Sequence, residues 1–536
     1  MIQAPRTVPS RTTAEWELYS RRHYDNPFAD VRIEAEFTSP SGARYTLPGF
    51  YDGDITWRVR FNPNEAGVWT YTISSRPATS EFEGEGSFEV IPRETRGFLK
   101  ATPGRAWGFE YEDGQPAFLF GDTTYNLFGM AYCGIDVGPF LERRARQGFN
   151  LLRVRLPVSL FHPPDGYNQW QTHRTWPWGG SEQAPLFDRF NLPYFHVVDR
   201  VVRQCDRLGI GLEMIMEGWG FEFPFNSRSI FLPEWEEVWM RWLIARYDAF
   251  ESVYFWTLLN EYEFYPNGDW HYKSVADRWA MRMGRWVKAT AQHGHIVSVH
   301  NGPPDPPFAR RFARDPGAID AVMFQTWGTT GKDNAWLAAG IDEQIGKSLS
   351  GWPGSAVFAE WGYERNPELE LNLPSHEHCD PEHTRWGAWR GAMMGLGIIH
   401  GFENSWGPWA ILDRDQPGMG YLLHLRRFFT EHVPFQHLRP AHDLVSPSSH
   451  EPGQRPLVMT TTDGSFVVVY LPVGGTVTFS QPHSGFYNAR WYDPRTGMFS
   501  EAATAAAGAT FTAPPGSGEH PWDWVLLLAR QDAAAV

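Results

Sequence analysis

The feature that most constrains this 536-residue chain is an alternation running from residue 97 to residue 435. Eight short apolar runs of β type occur there: PAFLFGD, NLLRVRLP, IGLEMIMEGW, VYFWTLLNE, HIVSVHNG, AVMFQTW, SAVFAEWG and GIIHGFENSW. Longer stretches of helical character separate them. One of these, EWEEVWMRWLIARYDAF, repeats apolar residues at Val238, Trp242 and Ala245, a helical interval, and HVVDRVVRQCDRL reads alike. Apolar strands alternating with helices are what parallel β/α units require. Eight units predict a (β/α)8 TIM barrel over residues 97–435. The rival doubly wound sheet would open on a glycine-rich phosphate loop, and the sequence has none.

The flanks have a different texture. VRIEAEFTSPSGARYTLPGFYDG and ITWRVRFNPNEAGVWTYTISS alternate in period two and break at Pro, Gly and Asp, so residues 1–93 predict an N-terminal β-sandwich. In the second run Trp57, Val59 and Phe61 share one face, and Arg58 and Arg60 the other. Residues 91–96, with Pro92, read as a linker. Residues 436–536 return to β and predict a C-terminal β-sandwich, with AATAAAGAT as a loop. The fold class is therefore multidomain, α/β plus β.

Bulk properties exclude several functions. The formal charge of −15 and the lack of a basic stripe argue against a nucleic-acid partner. No apolar run is long enough to span a membrane, and the first residues lack the apolar core of a signal peptide. Three scattered cysteines, Cys133, Cys205 and Cys379, do not make a disulfide framework, so a cytoplasmic location is expected. The 26 Trp are unusual, because Trp needs a partner for its N–H and fits few core holes. Flat rings suit the C–H faces of sugars, although many of these will simply pack the core.

Active sites of such barrels lie at the C-terminal ends of the strands. Two strand ends stand apart: Asn260–Glu261 closes the fourth run and Glu360 the seventh. Two carboxyls facing each other across a barrel mouth suit glycosidic bond cleavage with retention, one protonating the leaving oxygen and one attacking the anomeric carbon. Asp122 and Thr123 after the first run, Glu217 and Trp219 after the third, His300 after the fifth, Gln325 and Trp327 at the sixth, and Trp406 after the eighth are candidate substrate contacts. His162, in LFHPPDG, is another, and Glu217 is the reserve catalytic carboxyl. Trp256 or Trp270 would wall the Glu261 carboxyl. The cluster HEHCD, His376 to Asp380, is too dense for a zinc finger or an HExxH helix and reads as a polar loop. No metal or cofactor is called for.

With GFNLLRV on the second strand, the Asn260–Glu261 pair and a strand-seven Glu360, the barrel resembles glycoside hydrolase clan A, and its family 5 in particular. The resemblance implies Glu261 as acid/base, Glu360 as nucleophile, Asn260 on the sugar 2-hydroxyl and Arg153 supporting the nucleophile. Gln325 stands where that clan often has a Tyr or His on the nucleophile, so the partner of Glu360 is left open. WELYSRRHYDNPFADVRIEAEF, FLFGDTTYNLF and WYDPRTG…DWVLLL extend the resemblance over the whole chain, to apiosidase-like barrels flanked by two β-sandwiches. It implies a retaining, exo-acting enzyme on a small glycoside or oligosaccharide, with a tilt toward a pentofuranoside. Trp-rich loops such as YNQWQTHRTWPWGG would narrow its groove to a pocket. A transglycosylase using the same residues, a catalytically inactive carbohydrate-binding protein, and a metal-dependent hydrolase (which would want an HxH where GDTTYN stands) are the alternatives. The sandwiches are expected to complete the barrel walls or a homo-oligomer interface.

Overall fold

A computed structural model of the protein describes residues 2–157, 176–220, 222–269, 271–302, 309–326, 340–364, 378–401, 415–446, 453–480, 485–506, 508–516 and 522–532. The eight apolar runs form eight strands: β1 (Phe120–Thr123), β2 (Leu151–Arg155), β3 (Gly211–Trp219), β4 (Val253–Asn260), β5 (Ile296–His300), β6 (Ala321–Gln325), β7 (Ser355–Glu360) and β8 (Gly397–His400). Each pairs in parallel with the next, and β8 pairs with β1 to close the barrel. The described helices around it are α1 (Leu127–Tyr132), α2 (Gly138–Arg146), α3 (Leu192–Leu208), α4 (Pro233–Tyr247), α5 (Val275–Thr290), α6 (Ile341–Ser348), α7 (Pro381–Met393) and α8 (Met419–Glu431). Helix α3 shows how local sequence sets such an element. The Asn191 side chain accepts the Tyr194 N–H at 3.2 Å, a proline occupies the first turn, and Gly209 ends the helix at φ +69°.

The barrel interior is graded along its axis. Leu151, Phe255, Ile296, Ala321, Val357 and Ile399 fill it at the N-terminal end. The hairpin of Leu99–Ala101 and Phe109–Tyr111, which sequence patterning missed, belongs to the same apolar cluster. The next layer up is polar. The Thr257 hydroxyl donates to Glu213 Oε1 at 2.9 Å and lies 2.6 Å from Ser298 Oγ, with Arg153 above them. Buried polar groups are costly unless partnered, so a barrel that turns polar toward its C-terminal end is equipping a site there.

Two sheets of four and five strands make the N-terminal sandwich. Trp57, Val59 and Phe61 enter its core, as the alternation predicts. The opposite face of the same strand is the docking surface. Arg60 reaches Asp199 on α3 at 2.5 Å and the Arg246 carbonyl at 2.6 Å, while Arg246 pairs with Asp199 and with Asp52 of the sandwich. Burial pushes the Asp199 carboxyl up, but Arg60 and Arg246 pull it well below the usual carboxylate range. That contribution to stability is present at neutral pH and is lost as acid protonates Asp199. Arg60→Met, which removes one of the two arginines on Asp199 and leaves the Arg246 carbonyl without this donor, is expected to cost about 1.5–3 kcal/mol. The check is a lowered melting temperature together with new protease cleavage near residues 91–96; an unchanged melt would contradict it.

In the C-terminal sandwich the Arg385 guanidinium of α7 grips Asp523 at 3.0–3.2 Å, and Trp389 stacks on Tyr470. Ala503–Ala506, expected as a loop, is a strand paired with Phe486–Asp493. Its Ala and Thr side chains carry little pattern of their own, and the ladder supplied by the neighbouring strand decides the outcome.

Candidate active site

Glu360 closes β7 through an irregularity. Phe324 pairs with Phe358 but Gln325 pairs with Glu360, so Ala359 is an extra residue that re-aims the carboxylate. Arg153, facing inward from β2, donates Nη1 to Glu360 Oε2 at 3.0 Å and Nη2 to Asn260 Oδ1. Its Nε lies 3.5 Å from Glu213, so one guanidinium organises three side chains. The Tyr125 hydroxyl, from the segment after β1, donates to Glu360 Oε2 at 3.1 Å. Tyr363, three residues beyond Glu360, also bonds this carboxylate, and its hydroxyl lies 3.4 Å from that of Tyr125. Burial lifts the Glu360 carboxyl above its ordinary value; Arg153 and the two phenols oppose that rise by favouring the charged form. The question that Gln325 left open is thereby answered: the partners of Glu360 are Tyr125 and Tyr363.

Gln325 serves the other carboxyl. Its Nε2 donates to Glu261 Oε1 at 2.6 Å and to the Asn301 carbonyl at 2.7 Å. Glu261 itself sits at φ +55°, ψ +60°, a left-handed conformation rare outside glycine. Strain of this kind is held only where surrounding structure imposes it. Here the next residue is fixed: the Tyr262 hydroxyl donates to Asp277 at 2.9 Å and accepts from Arg311 at 3.2 Å. Burial, followed by the charge of Glu360, pushes the Glu261 carboxyl up to about 8, against the Gln325 hydrogen bond. The two glutamates thus have different environments: Glu360 is surrounded by donors, whereas Glu261 is buried beside negative charge with Gln325 as a donor.

Strand parity separates the other predicted residues. Thr123 shares the inward parity of Gly121, beside Ile399 and Leu151, whereas Asp122 has the opposite parity. The Asp122 carboxylate meets Arg144 of α2 at 2.6 Å and His400 at 3.4 Å behind the barrel wall. It is therefore not placed to meet a substrate hydroxyl, because adjacent side chains on a strand point to opposite faces. Trp256 also has outward parity and packs with the helix-side core rather than walling Glu261. Glu217 is turned to Arg228, with oxygens at 2.5 and 3.4 Å, and Arg228 is shared with Glu236 of α4 at 2.7 Å. Burial, opposed by Arg228, pushes the Glu217 carboxyl up to about 8. Trp219 lies between Arg155, 4.3 Å from its ring, and Tyr125.

His300 ends β5 fully buried, and neither ring nitrogen has a hydrogen-bond partner among the described residues. Burial and the nearby Arg153 hold it neutral, well below the usual histidine range. His162, Trp270, Trp327, Trp406 and the first two residues of the HEHCD cluster lie outside the described residues. Of the rest of that cluster, His378–Cys379 pairs with Tyr363–Glu364, and Asp380 precedes α7. Sequence reasoning missed Tyr125, Tyr363 and Glu213. Only Glu213 left a signal, as a charge at an inward position in the apolar first half of its strand.

The same arrangement, a closed parallel barrel with sheet-rich regions on either side, occurs in solved structures. A "putative glycoside hydrolase" from Bacteroides vulgatus superposes with TM-score 0.72 at 19% identity, over 98% of this chain and 100% of that one. A family 5 glycoside hydrolase from the same organism gives TM-score 0.62 at 17% identity, over 82% and 95%. The model described as "Apiosidase-like, catalytic domain" matches residues 105–424, more than half of the sequence, and the chain belongs to that family. Residues 7–76 match a domain of unknown function, and residues 440–529 one described as "Putative collagen-binding domain of a collagenase". A comparison with curated proteins returns no match.

Proposed function

We propose that the protein is a retaining glycosidase that hydrolyses a small glycoside with Glu360 as nucleophile and Glu261 as acid/base. The observation that carries the reading is the pairing of a carboxylate held by Arg153, Tyr125 and Tyr363 with a second carboxyl pushed up to about 8 by burial and by the first one's charge. In the first step Glu360 Oε attacks the anomeric carbon, the glycosidic C–O bond breaks, and Glu261 gives its proton to the departing oxygen. The ester formed at Glu360 carries no charge, so the repulsion that kept Glu261 protonated falls away and the Glu261 carboxylate takes a proton from water. The water oxygen attacks the anomeric carbon and the ester bond breaks, restoring the Glu360 carboxylate and the Glu261 acid.

The remaining residues have supporting roles in this reading. Arg153 holds the Asn260 Oδ1, which leaves the amide N–H groups to donate to the sugar 2-hydroxyl. Unpartnered and neutral, the His300 ring is suited to meet a sugar hydroxyl. Thr123 and Trp219 complete the candidate contacts. Family membership favours a pentofuranoside among the sugars to test.

Hydrolysis of a panel of aryl pyranosides and furanosides tests the proposal: turnover of one sugar is expected, and failure on every member would count against it. The dependence of kcat/KM on pH should be a bell. Its alkaline limb lies near pH 8, where Glu261 loses its proton, and its acidic limb above the ordinary carboxylate value, where Glu360 gains one. Tyr125→Phe and Tyr363→Phe each remove one donor to the carboxylate, so each is expected to move the acidic limb upward and lower kcat about tenfold, the effect of about 1.4 kcal/mol. Limbs unmoved in both variants would remove the phenols from the mechanism.

A further inference from the structure

Behind the barrel wall, between the C-terminal ends of β1 and β8 and the helices, four fully buried charged side chains form a chain. Arg144 Nε donates to Asp122 Oδ2 at 2.6 Å; Asp122 Oδ1 lies 3.4 Å from His400 Nδ1; His400 Nε2 lies 3.4 Å from Glu364 Oε2. The far end is closed by the Gly418 N–H on Glu364 Oε1 at 2.7 Å and by the Thr384 hydroxyl on Oε2 at 3.1 Å. At the near end Arg144 Nη1 also reaches Asp415 at 2.7 Å, and Arg143 pairs with Asp415 at 3.2 Å.

Each ring nitrogen faces a carboxylate oxygen at ion-pair distance, not in an aligned hydrogen bond, and negative charge on both sides of the ring favours its doubly protonated form. His400 is then an imidazolium, and the chain Arg144, Asp122, His400, Glu364 is neutral as a whole. Burial opposes that charge, but the two carboxylates overcome it and lift His400 above the ordinary histidine value.

The position of this chain gives it a consequence for chemistry. Asp122 lies three residues before Tyr125, and Glu364 directly follows Tyr363. The Glu364 N–H donates to the Gly401 carbonyl at 3.2 Å, the residue after His400. The two backbone segments that carry the phenols on Glu360 are therefore tied to one ring at the end of β8.

We propose that His400, clamped as an imidazolium between Asp122 and Glu364, is a positioning residue that acts on Glu360 through Tyr125 and Tyr363. Its kinetic consequence rests on the reading of Glu360 as nucleophile; its effect on the phenols and the carboxylate does not. A displacement of about 1 Å in a catalytic group can cost on the order of a hundredfold in rate. His400→Gln, which carries no charge and turns its amide oxygen toward one of the two carboxylates, is therefore expected to lower kcat about 10–100-fold with little change in KM.

The experiment uses full-length protein carrying 13Cζ-labelled tyrosine, with the Tyr125 and Tyr363 signals assigned from the Phe variants. In the wild type both signals should follow the titration of Glu360, and in His400→Gln that inflection should move upward. A folded His400→Gln variant with the wild-type inflection would reduce the network to ordinary packing and overturn the proposal. Should that variant not fold, nitrogen NMR of 15N-histidine wild type decides: a buried imidazolium persisting above the ordinary histidine range supports the clamp, and none overturns it. Failure of the glycosidase reading would show separately, as absence of turnover by the wild type.

Discussion

Glu360→Ala is expected to lower kcat/KM by roughly 10⁴-fold or more on any glycoside the wild type accepts, because the covalent route is lost with its nucleophile. The substitution leaves Arg153, Tyr125 and Tyr363 as three donors around a space that had held a carboxylate. Azide fits that description, being small and anionic. It should restore turnover and give a glycosyl azide of inverted configuration, since it attacks from the face opposite the leaving group, where Glu360 stood. Circular dichroism should remain that of the wild type, which separates loss of chemistry from loss of fold. Turnover that survives in Glu360→Ala would contradict the assignment and direct attention to Glu217.

Glu261→Gln is expected to have the second largest effect, and its form is more diagnostic than its size. General acid catalysis contributes about 10²–10⁴-fold, so kcat should fall by that factor on glycosides with poor leaving groups. On leaving groups that depart without a proton, the glycosylation step should be nearly unaffected. The alkaline limb near pH 8 should vanish, because activity falls there only as Glu261 is ionised. This last point matters because burial pushes two other carboxyls into the same region, Glu217 to about 8 and Glu263 to about 7. A limb that persists in Glu261→Gln belongs to one of them, and the acid would have to be reassigned.

Much of this arrangement is legible in the sequence because barrel strands announce themselves twice, by apolar runs and by what ends them. Arg153, Asn260, Glu261, Gln325 and Glu360 all lie at or next to the last residue or two of such runs, and the structure brings them together. Parity is harder to read. Asp122 and Thr123 are adjacent, so only one can face the mouth, and nothing local says which. The choice is made by how β1 sits between β2 and β8. Irregularities compound this: the extra residue at Ala359 re-aims Glu360, and β3 shifts register between Glu217 and Trp219. Simple alternation fails at these places, and strand irregularities of this kind gather near active sites.

Loop-borne groups leave still less trace. Tyr125 and Tyr363 follow strand ends in segments without periodicity, so no pattern marks them as partners of Glu360. Arg58 and Arg60 show the converse, a signal present but incomplete. Their alternation with Trp57, Val59 and Phe61 identifies the strand and its buried face, yet the charged face looks like one meant for water. In the structure Arg60 meets Asp199 and the Arg246 carbonyl, while Arg58 pairs with Asp52 and Glu17 within the sandwich, because a charged face is equally suited to carboxylates and carbonyls on a packed neighbour.

The most direct measurement of the central claim is covalent trapping. Once the panel names the sugar, the enzyme would be incubated with its 2-deoxy-2-fluoro derivative bearing an activated leaving group, then weighed intact and mapped by peptide mass spectrometry. The account predicts one glycosyl unit per chain, attached to the peptide that contains Glu360 through its carboxylate, and no adduct in Glu360→Ala. An adduct on any other residue, or no adduct with release of a product of inverted configuration, would contradict it.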